Sequence, residues 1–265
     1  MNARSWLFVP GSRPERFDKA VAAGAGAVII DLEDAVAPCD KHSARDAVAA
    51  WLQPRHAVVL RINSADSPWF DADLALCGRP GVAAVMLPKT ERVATLAAVA
   101  QAGAQALLPL VESAAGIAVL DALAAAPGVQ RLAFGSIDLQ ADLGMRDATE
   151  DELLCSRTAL VLASRRAGIG APIDGVTTAI DDPARLQADV QRARRLGFCG
   201  KLCIHPKQVA AVNAFFAPSV DEVSWARRVL DAAAAAGGAA IAVDGKRVDK
   251  PVLLRAESIL REAMS

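Results

Sequence analysis

Asp31, Glu33, Arg61, Lys89, Glu112, Asp138, Asp174 and His205 each stand at or just past the end of a short apolar, β-branched run. Glu112 and Asp138 close successive runs and so belong side by side. With no cysteine or histidine cluster beside them they form a hard-oxygen site. That suits Mg2+, which takes one or two carboxylates and keeps its waters or substrate oxygens; Mn2+ fits the same ligand logic. A competing reading makes Glu112 a cap of the helix starting at Ser113 and Asp138 a cap of the following loop, since acids are common at helix starts. Arg61 is a fixed cation with a planar fork, able to hold a carboxylate or to stabilise an oxyanion as its charge develops. It can also pair with Asp31 or Glu33, and the two roles are compatible. Lys89 stands where a Schiff-base lysine could, but such a lysine needs a depressed pKa and the surrounding carboxylates favour the charged ammonium. His205 is the only histidine at the end of a run, and Pro206 after it favours a turn-setting role.

These residues need elements to position them, and residues 28–36 (VIIDLEDAV) show how. Strand side chains alternate with period two, so Asp31 and Glu33 share a face while Ile30 and Leu32 share the other. An apolar run that turns acidic only at its carboxyl end reads as a buried parallel strand delivering polar groups to the rim of a site; helix capping or surface pairing is the simpler alternative. The pattern recurs: runs at 5–9, 27–32, 57–62, 82–87, 106–111, 131–134, 171–173 and 200–204 alternate with helical stretches, among them 41–52, 91–101 and 150–167. Asp182-Pro183 begins another helix, as an N-cap followed by proline. Eight strands alternating with helices predict a (β/α)8 TIM barrel, whose carboxyl rim carries the chemistry. An open doubly wound sheet is the alternative, weakened by the absence of Gly-x-Gly-x-x-Gly after the first run.

The chain has 265 residues, 53% of them hydrophobic, and a barrel takes about 250. The barrel is expected over 1–218. Residues 219–265 form a C-terminal helical extension, with helices near 221–236 and 251–264 and a turn at 241–246. This tail is too short to stand alone and must pack on its own barrel or a neighbour's. A formal net charge of −1 points to neither nucleic acid nor an anionic membrane as partner. No run reaches the roughly 18 apolar residues of a spanning helix, and no signal-peptide pattern precedes the first strand. Five scattered cysteines argue against a disulfide framework, with Cys199 and Cys203 read as buried small hydrophobes. A cytoplasmic setting fits.

Several of these stretches together resemble a known family: 7–11 (LFVPG), 31–36 (DLEDAV), 61–63 (RIN), Pro88-Lys89, Glu112, Gly135-x-x-Asp138-Leu139 and Ile204-His205-Pro206-x-Gln208. In their order they resemble the citrate lyase β-subunit (CitE)-like branch of the HpcH/HpaI aldolase superfamily, across nearly the whole chain. The resemblance implies a Mg2+-dependent carbon–carbon lyase in which Glu112 and Asp138 bind metal while Arg61 and Glu112 contact substrate. Asp31 and Glu33 then act with Arg61. It implies that Phe8, Arg13 and Lys19 contact the CoA moiety, and that an aspartate of the tail approaches a neighbour's site in a homotrimer or hexamer. Asp249, in 249–254 (DKPVLL), matches that aspartate, with Asp244-Gly245 as a competing alignment. The expected substrate is a citryl-, malyl- or citramalyl-type acyl-CoA or acyl-carrier thioester, cleaved to a 2-oxo acid and acetyl-CoA. An aldolase of free 2-oxo acids, or a carrier-dependent CoA-ester-binding subunit with little activity alone, are the alternatives.

Overall fold

Eight apolar runs become eight parallel strands: Ser5–Pro10 (β1), Ala27–Asp31 (β2), Val58–Arg61 (β3), Val82–Leu87 (β4), Leu107–Val111 (β5), Ala133–Phe134 (β6), Ile173–Asp174 (β7) and Gly200–Cys203 (β8). They pair in sequence order, and β1 also pairs with β8, Ser5 beside Lys201, so the sheet closes into a barrel. The computed structural model describes residues 3–146, 148–236 and 241–264.

Helical segments connect the strands. The helix Pro183–Leu196 starts as its sequence requires: the Asp182 carboxylate accepts the Arg185 N–H at 2.9 Å, with Pro183 in the first turn. It ends at Gly197 in a left-handed conformation (φ +100°), the conformation glycine adopts without penalty. The helix expected at 150–167 begins later, at Leu154; Glu150, ahead of it, pairs with Arg157, Arg185 and Arg192. The helix Ser136–Asp142 that precedes it was absent from the sequence reading.

Period two sorts the wall residues. Trp6, Ala27, Ile29, Val59, Ala84, Met86, Leu108, Leu110, Ala133, Ile173 and Leu202 form one buried cluster with Phe8 against it. Trp6 is 0% exposed and donates its indole N–H to Ala3 O at 3.0 Å. It fits because position 200 is glycine: a Cβ there would lie 2.8 Å from Trp6 Nε1. All five cysteines are free thiols. Cys203 is buried as expected, whereas Cys199 is only half-buried and its sulfur meets Arg131 and Ala171 O.

Backbone contacts divide the chain into a first unit, 3–213, and a second, 214–265. In the second, Ser219 and Glu222 form a capping box (Glu222 N–H to Ser219 Oγ 3.1 Å, Ser219 N–H to Glu222 Oε2 2.8 Å) ahead of the helix Val220–Ala236. Where the sequence suggested a simple turn there is a hairpin, Ile241–Val243 (β9) against Lys246–Val248 (β10). Its tip, Asp244-Gly245, has φ +52° and +73°, as a two-residue hairpin loop demands. The helix Lys250–Ala263 packs on the first through Ala226, Val229, Val248, Ala256 and Ile259. Among the described residues no helix is long and apolar enough to cross a membrane.

Candidate active site

The alternation that lines the barrel with Ala27 and Ile29, Val59, and Leu108 and Leu110 continues at the carboxyl ends of these strands to Asp31, Arg61 and Glu112. Asp31 is 0% exposed and Arg61 9%. The pair is bidentate: Arg61 Nε and Nη2 donate to Asp31 Oδ1 and Oδ2 at 2.7 Å each, which fixes the plane of the guanidinium as well as its place. Arg61 Nη1 lies 3.0 Å from Glu33 Oε2, and Phe8 supports the guanidinium from one face, its ring centroid 4.7 Å from Cζ. Burial opposes the Arg61 charge, but Asp31, Glu33 and Asp34 outweigh it and hold its pKa above the ordinary arginine value. Arg61 is therefore salt-bridged, one of the two compatible roles the sequence offers, and it stands at the carboxyl end of β3. Glu33 is pushed up mainly by burial, against the pull of Arg61 and Lys89. Its Oε2 has no hydrogen-bond donor in line, so the Arg61 contact is one of charge.

The turn that carries Glu33 is held from two sides. Asp31 accepts the backbone N–H groups of Glu33 and Ala35 at 2.9 and 3.1 Å. Beneath it, buried Lys41 donates to Leu32 O, Glu33 O and Asn63 Oδ1 at 2.7, 2.8 and 2.6 Å. Asn63 in turn donates to Asp73, which pairs with Arg45 at 2.9 Å. Lys41 and Asp73 escaped the sequence reading, because a lysine opening a helix and an acid inside one carry no local signal.

Glu112 is 3% exposed and accepts the Lys89 N–H at Oε1, 2.7 Å. Its other oxygen, Oε2, lies over Gly135, where a Cβ would stand 2.2 Å from it; the glycine makes the room the carboxylate occupies. The helix Ala114–Ala118 is capped by the Ser113 hydroxyl, not by Glu112. Asp138 lies half-exposed in the first turn of Ser136–Asp142, whose N-cap is Gly135, and among the described residues no hydrogen bond reaches its carboxylate. Burial, then the charges of Asp138 and Glu33, push Glu112 up to about 8. Among the described residues no three His, Cys, Asp or Glu gather with metal-holding geometry. Glu112 with Oε2 unclaimed and Asp138 beside it are hard-oxygen donors of the kind Mg2+ takes together with its own waters.

Lys89 bridges the two halves. Its Nζ donates to Glu33 Oε1 at 2.5 Å. Burial pulls its pKa down, but Glu33, Asp34 and Glu112 together raise it above the ordinary lysine value, which suits an ammonium and not a Schiff-base amine.

Other expected rim residues lie elsewhere. Asp174 was expected at the mouth, but Ile173 takes the inward position of β7, so Asp174 faces outward and is fully buried. There it binds Arg157 Nε at 2.8 Å. His205 sets a turn: its Nδ1 accepts the Lys207 N–H at 3.1 Å, while Gln208 closes the capping box. Arg13 and Lys19 are exposed on the segment after β1. Asp249 belongs to the second unit, exposed at the N-cap of Lys250–Ala263, where it accepts the Val252 N–H at 3.4 Å.

The family model described as HpcH/HpaI aldolase/citrate lyase matches residues 4–206. A citrate lyase subunit beta-like protein of Deinococcus radiodurans is 38% identical over 276 residues, covering 97% of this chain and 96% of its own. Two proteins of Cereibacter sphaeroides, a (3S)-malyl-CoA thioesterase and an L-malyl-CoA/beta-methylmalyl-CoA lyase, are each 34% identical and cover 98% of this chain and 94% of their own. The crystal structure of Mycobacterium tuberculosis CitE in complex with magnesium, acetoacetate and coenzyme A superposes with a TM-score of 0.87 at 37% identity, over 99% of this chain and 98% of that one. By its sequence and by its closed barrel, the chain belongs to the HpcH/HpaI aldolase/citrate lyase family.

Proposed function

We propose that this chain is a Mg2+-dependent carbon–carbon lyase that cleaves, or in reverse forms, a 3-hydroxyacyl-CoA thioester of the malyl, citramalyl or citryl type. One observation carries the reading. A guanidinium fixed by Asp31 and Glu33 shares the barrel mouth with the carboxylate pair Glu112 and Asp138. Relatives that act on malyl-CoA, and a solved relative with magnesium and coenzyme A, support it.

Glu112 and Asp138 would hold the ion, which when bound supplies Lewis-acid polarisation of substrate oxygens. The hydroxyl proton of the substrate passes to Asp249, or to a water it orients. The C2–C3 bond breaks, giving a 2-oxo acid and the enolate of acetyl-CoA, whose α-carbon then takes up a proton. Arg61 stabilises the oxyanion charge and needs no reorganisation to do so, because Asp31, Glu33 and Phe8 already hold it. Arg13 and Lys19 offer exposed cations to the phosphates of CoA. Asp249 reaches the mouth from a neighbouring copy in a closed homotrimer or hexamer.

The test is a chromatographic assay of the purified protein with malyl-, citramalyl- and citryl-CoA, with Mg2+ and with EDTA. Acetyl-CoA and a 2-oxo acid, formed only with Mg2+, are the expected products, and the preferred thioester identifies the acyl group. Free CoA and an intact hydroxy acid would instead assign hydrolysis, the activity of the thioesterase relative. No turnover of any thioester by metal-loaded protein would overturn the stand-alone lyase.

A further inference from the structure

Lys89 is unusual in its backbone as well as in its contacts. Its φ is +47°, and among the described residues only Asp244, at the hairpin tip, shares the left-handed region without being glycine. A side chain lowers the population of that conformation by a factor of about five to thirty relative to glycine. Strain of this kind gathers where a site needs a particular geometry. The flanks of Lys89 are pinned. Pro88 has a ring-restricted φ, the Thr90 N–H donates to Leu110 O at 3.2 Å, and the Thr90 hydroxyl donates to Leu87 O at 2.6 Å. Residue 89 is the link left to bend, and its bend aims two donors at two carboxylates from different strands. The N–H goes to Glu112 Oε1 at 2.7 Å and the ammonium to Glu33 Oε1 at 2.5 Å.

We propose that Lys89 is a positioning residue. Its left-handed backbone grips Glu112 by Oε1 and leaves Oε2 to the metal, while its ammonium, anchored on Glu33, keeps the backbone in that conformation. The proposal rests on the reading of Glu112 as a metal ligand. It makes Lys89 the joint between the Arg61–Glu33 side of the site and the Glu112–Asp138 side.

Simple electrostatics makes the opposite forecast. An ammonium beside a cation site repels the cation, so its removal should tighten Mg2+ binding. Positioning predicts that Lys89→Met weakens it, because methionine has no anchor on Glu33 and nothing to offset the left-handed backbone. Lys89→Gly lacks the ammonium too, yet holds the conformation freely and keeps the N–H on Glu112.

The experiment is calorimetric titration of Mg2+, with Mn2+ water-proton relaxation as a second readout, on the full chain and its variants, each checked for folding by thermal melting. Lys89→Met should bind about five- to thirtyfold more weakly than the wild type. Lys89→Gly should stay close to the wild type, and Lys89→Gln, which keeps a donor for Glu33, should fall between them. Tight binding by both Met and Gly variants, or equal weakening of both, overturns the proposal. Should Lys89→Met not fold, the order of Gly over Gln decides in the same way. A wild-type chain that binds neither ion, or Glu112→Gln binding as tightly as the wild type, overturns the metal reading itself and the proposal with it.

Discussion

Glu112 is a carboxylate kept partly protonated by its surroundings, and that has a thermodynamic signature. Its pKa in the folded chain is about 8 against 4.5 for the free side chain, with burial the largest cause. Between those values the folded state binds more protons than the unfolded chain, so stability falls as pH rises through that window. Glu33, also raised, adds the same sign. The melting temperature of metal-free protein should therefore decline from about pH 5 to pH 8, by the equivalent of a few kcal/mol at most. Glu112→Gln should flatten much of the decline and Mg2+ should offset it; an unchanged slope in Glu112→Gln would show that Glu112 is not the titrating group. At this scale the sequence was legible where period two governs: Asp31, Arg61 and Glu112 follow inward neighbours two residues back. It was illegible at Lys41, which meets Leu32 O, Glu33 O and Asn63 only after the chain has folded.

Strands differ in how much of their phase can be read. β2 shows five consecutive residues, enough to settle which face its acids take. β7 has two, and a one-residue change of phase sends every side chain to the other face; Asp174 turned outward for that reason. It joins a chain of ions behind the barrel wall. Asp174 pairs with Arg157, Arg157 with Glu150 at 2.7 Å, and Glu150 with Arg185 and Arg192 at 2.6 and 3.0 Å. Removing one partner from a buried pair leaves the other uncompensated, so Arg157→Ala should destabilise the protein by about 3–5 kcal/mol in denaturant titration. A change below about 1 kcal/mol, the worth of an exposed pair, would mean that Lys201, whose Nζ lies 3.6 Å from Asp174 Oδ2, compensates the acid by itself. β6 is equally short, and its next inward position is Gly135. Gly135→Ala adds one methyl where Glu112 Oε2 now lies. The expected outcome is loss of at least about tenfold in Mg2+ affinity, equivalent to about 1.4 kcal/mol, with an unchanged far-ultraviolet circular dichroism spectrum. Wild-type affinity would show that the backbone at 135 shifts and keeps Glu112 in place, because the new methyl would also crowd Glu112 Cβ, which no rotamer can move.

The whole molecule is a barrel unit and a second unit that begins at Ala214. The barrel was legible because its strands alternate with helices and end in polar residues. The hairpin at 241–248 was not, because its strands are three residues each and only the Asp-Gly at the tip marks it. Asp249 has a local task at the start of Lys250–Ala263 and a proposed one in proton transfer, and a single substitution separates them. Asparagine caps a helix as well as aspartate but cannot act as a base. Asp249→Asn should leave the melting temperature within about 2 °C of the wild type, less than 1 kcal/mol for a chain of this size. Its kcat should fall by about 10²–10⁴, the usual worth of a general base. A variant with altered KM and unchanged kcat would make Asp249 a binding residue, and a chain that sediments as an active monomer would end its role in trans.

The charged groups of the mouth come from one arc of the barrel. Asp31, Glu33, Arg61, Lys89, Glu112 and Asp138 end or follow β2 to β6, whereas the charges of β7 and β8, Asp174 and Lys201, are buried in the wall. Among the described residues, the exposed 178–182 after β7 make no hydrogen bond or ion pair with Glu112 or Asp138, the carboxylates proposed to hold the metal. If the proposed lyase chemistry holds, the arc of 178–182 can be redrawn without disturbing the other, so that the choice of acyl group and the chemistry are set on opposite sides of the mouth. Libraries confined to 178–182 should change which thioester is preferred far more often than they abolish turnover.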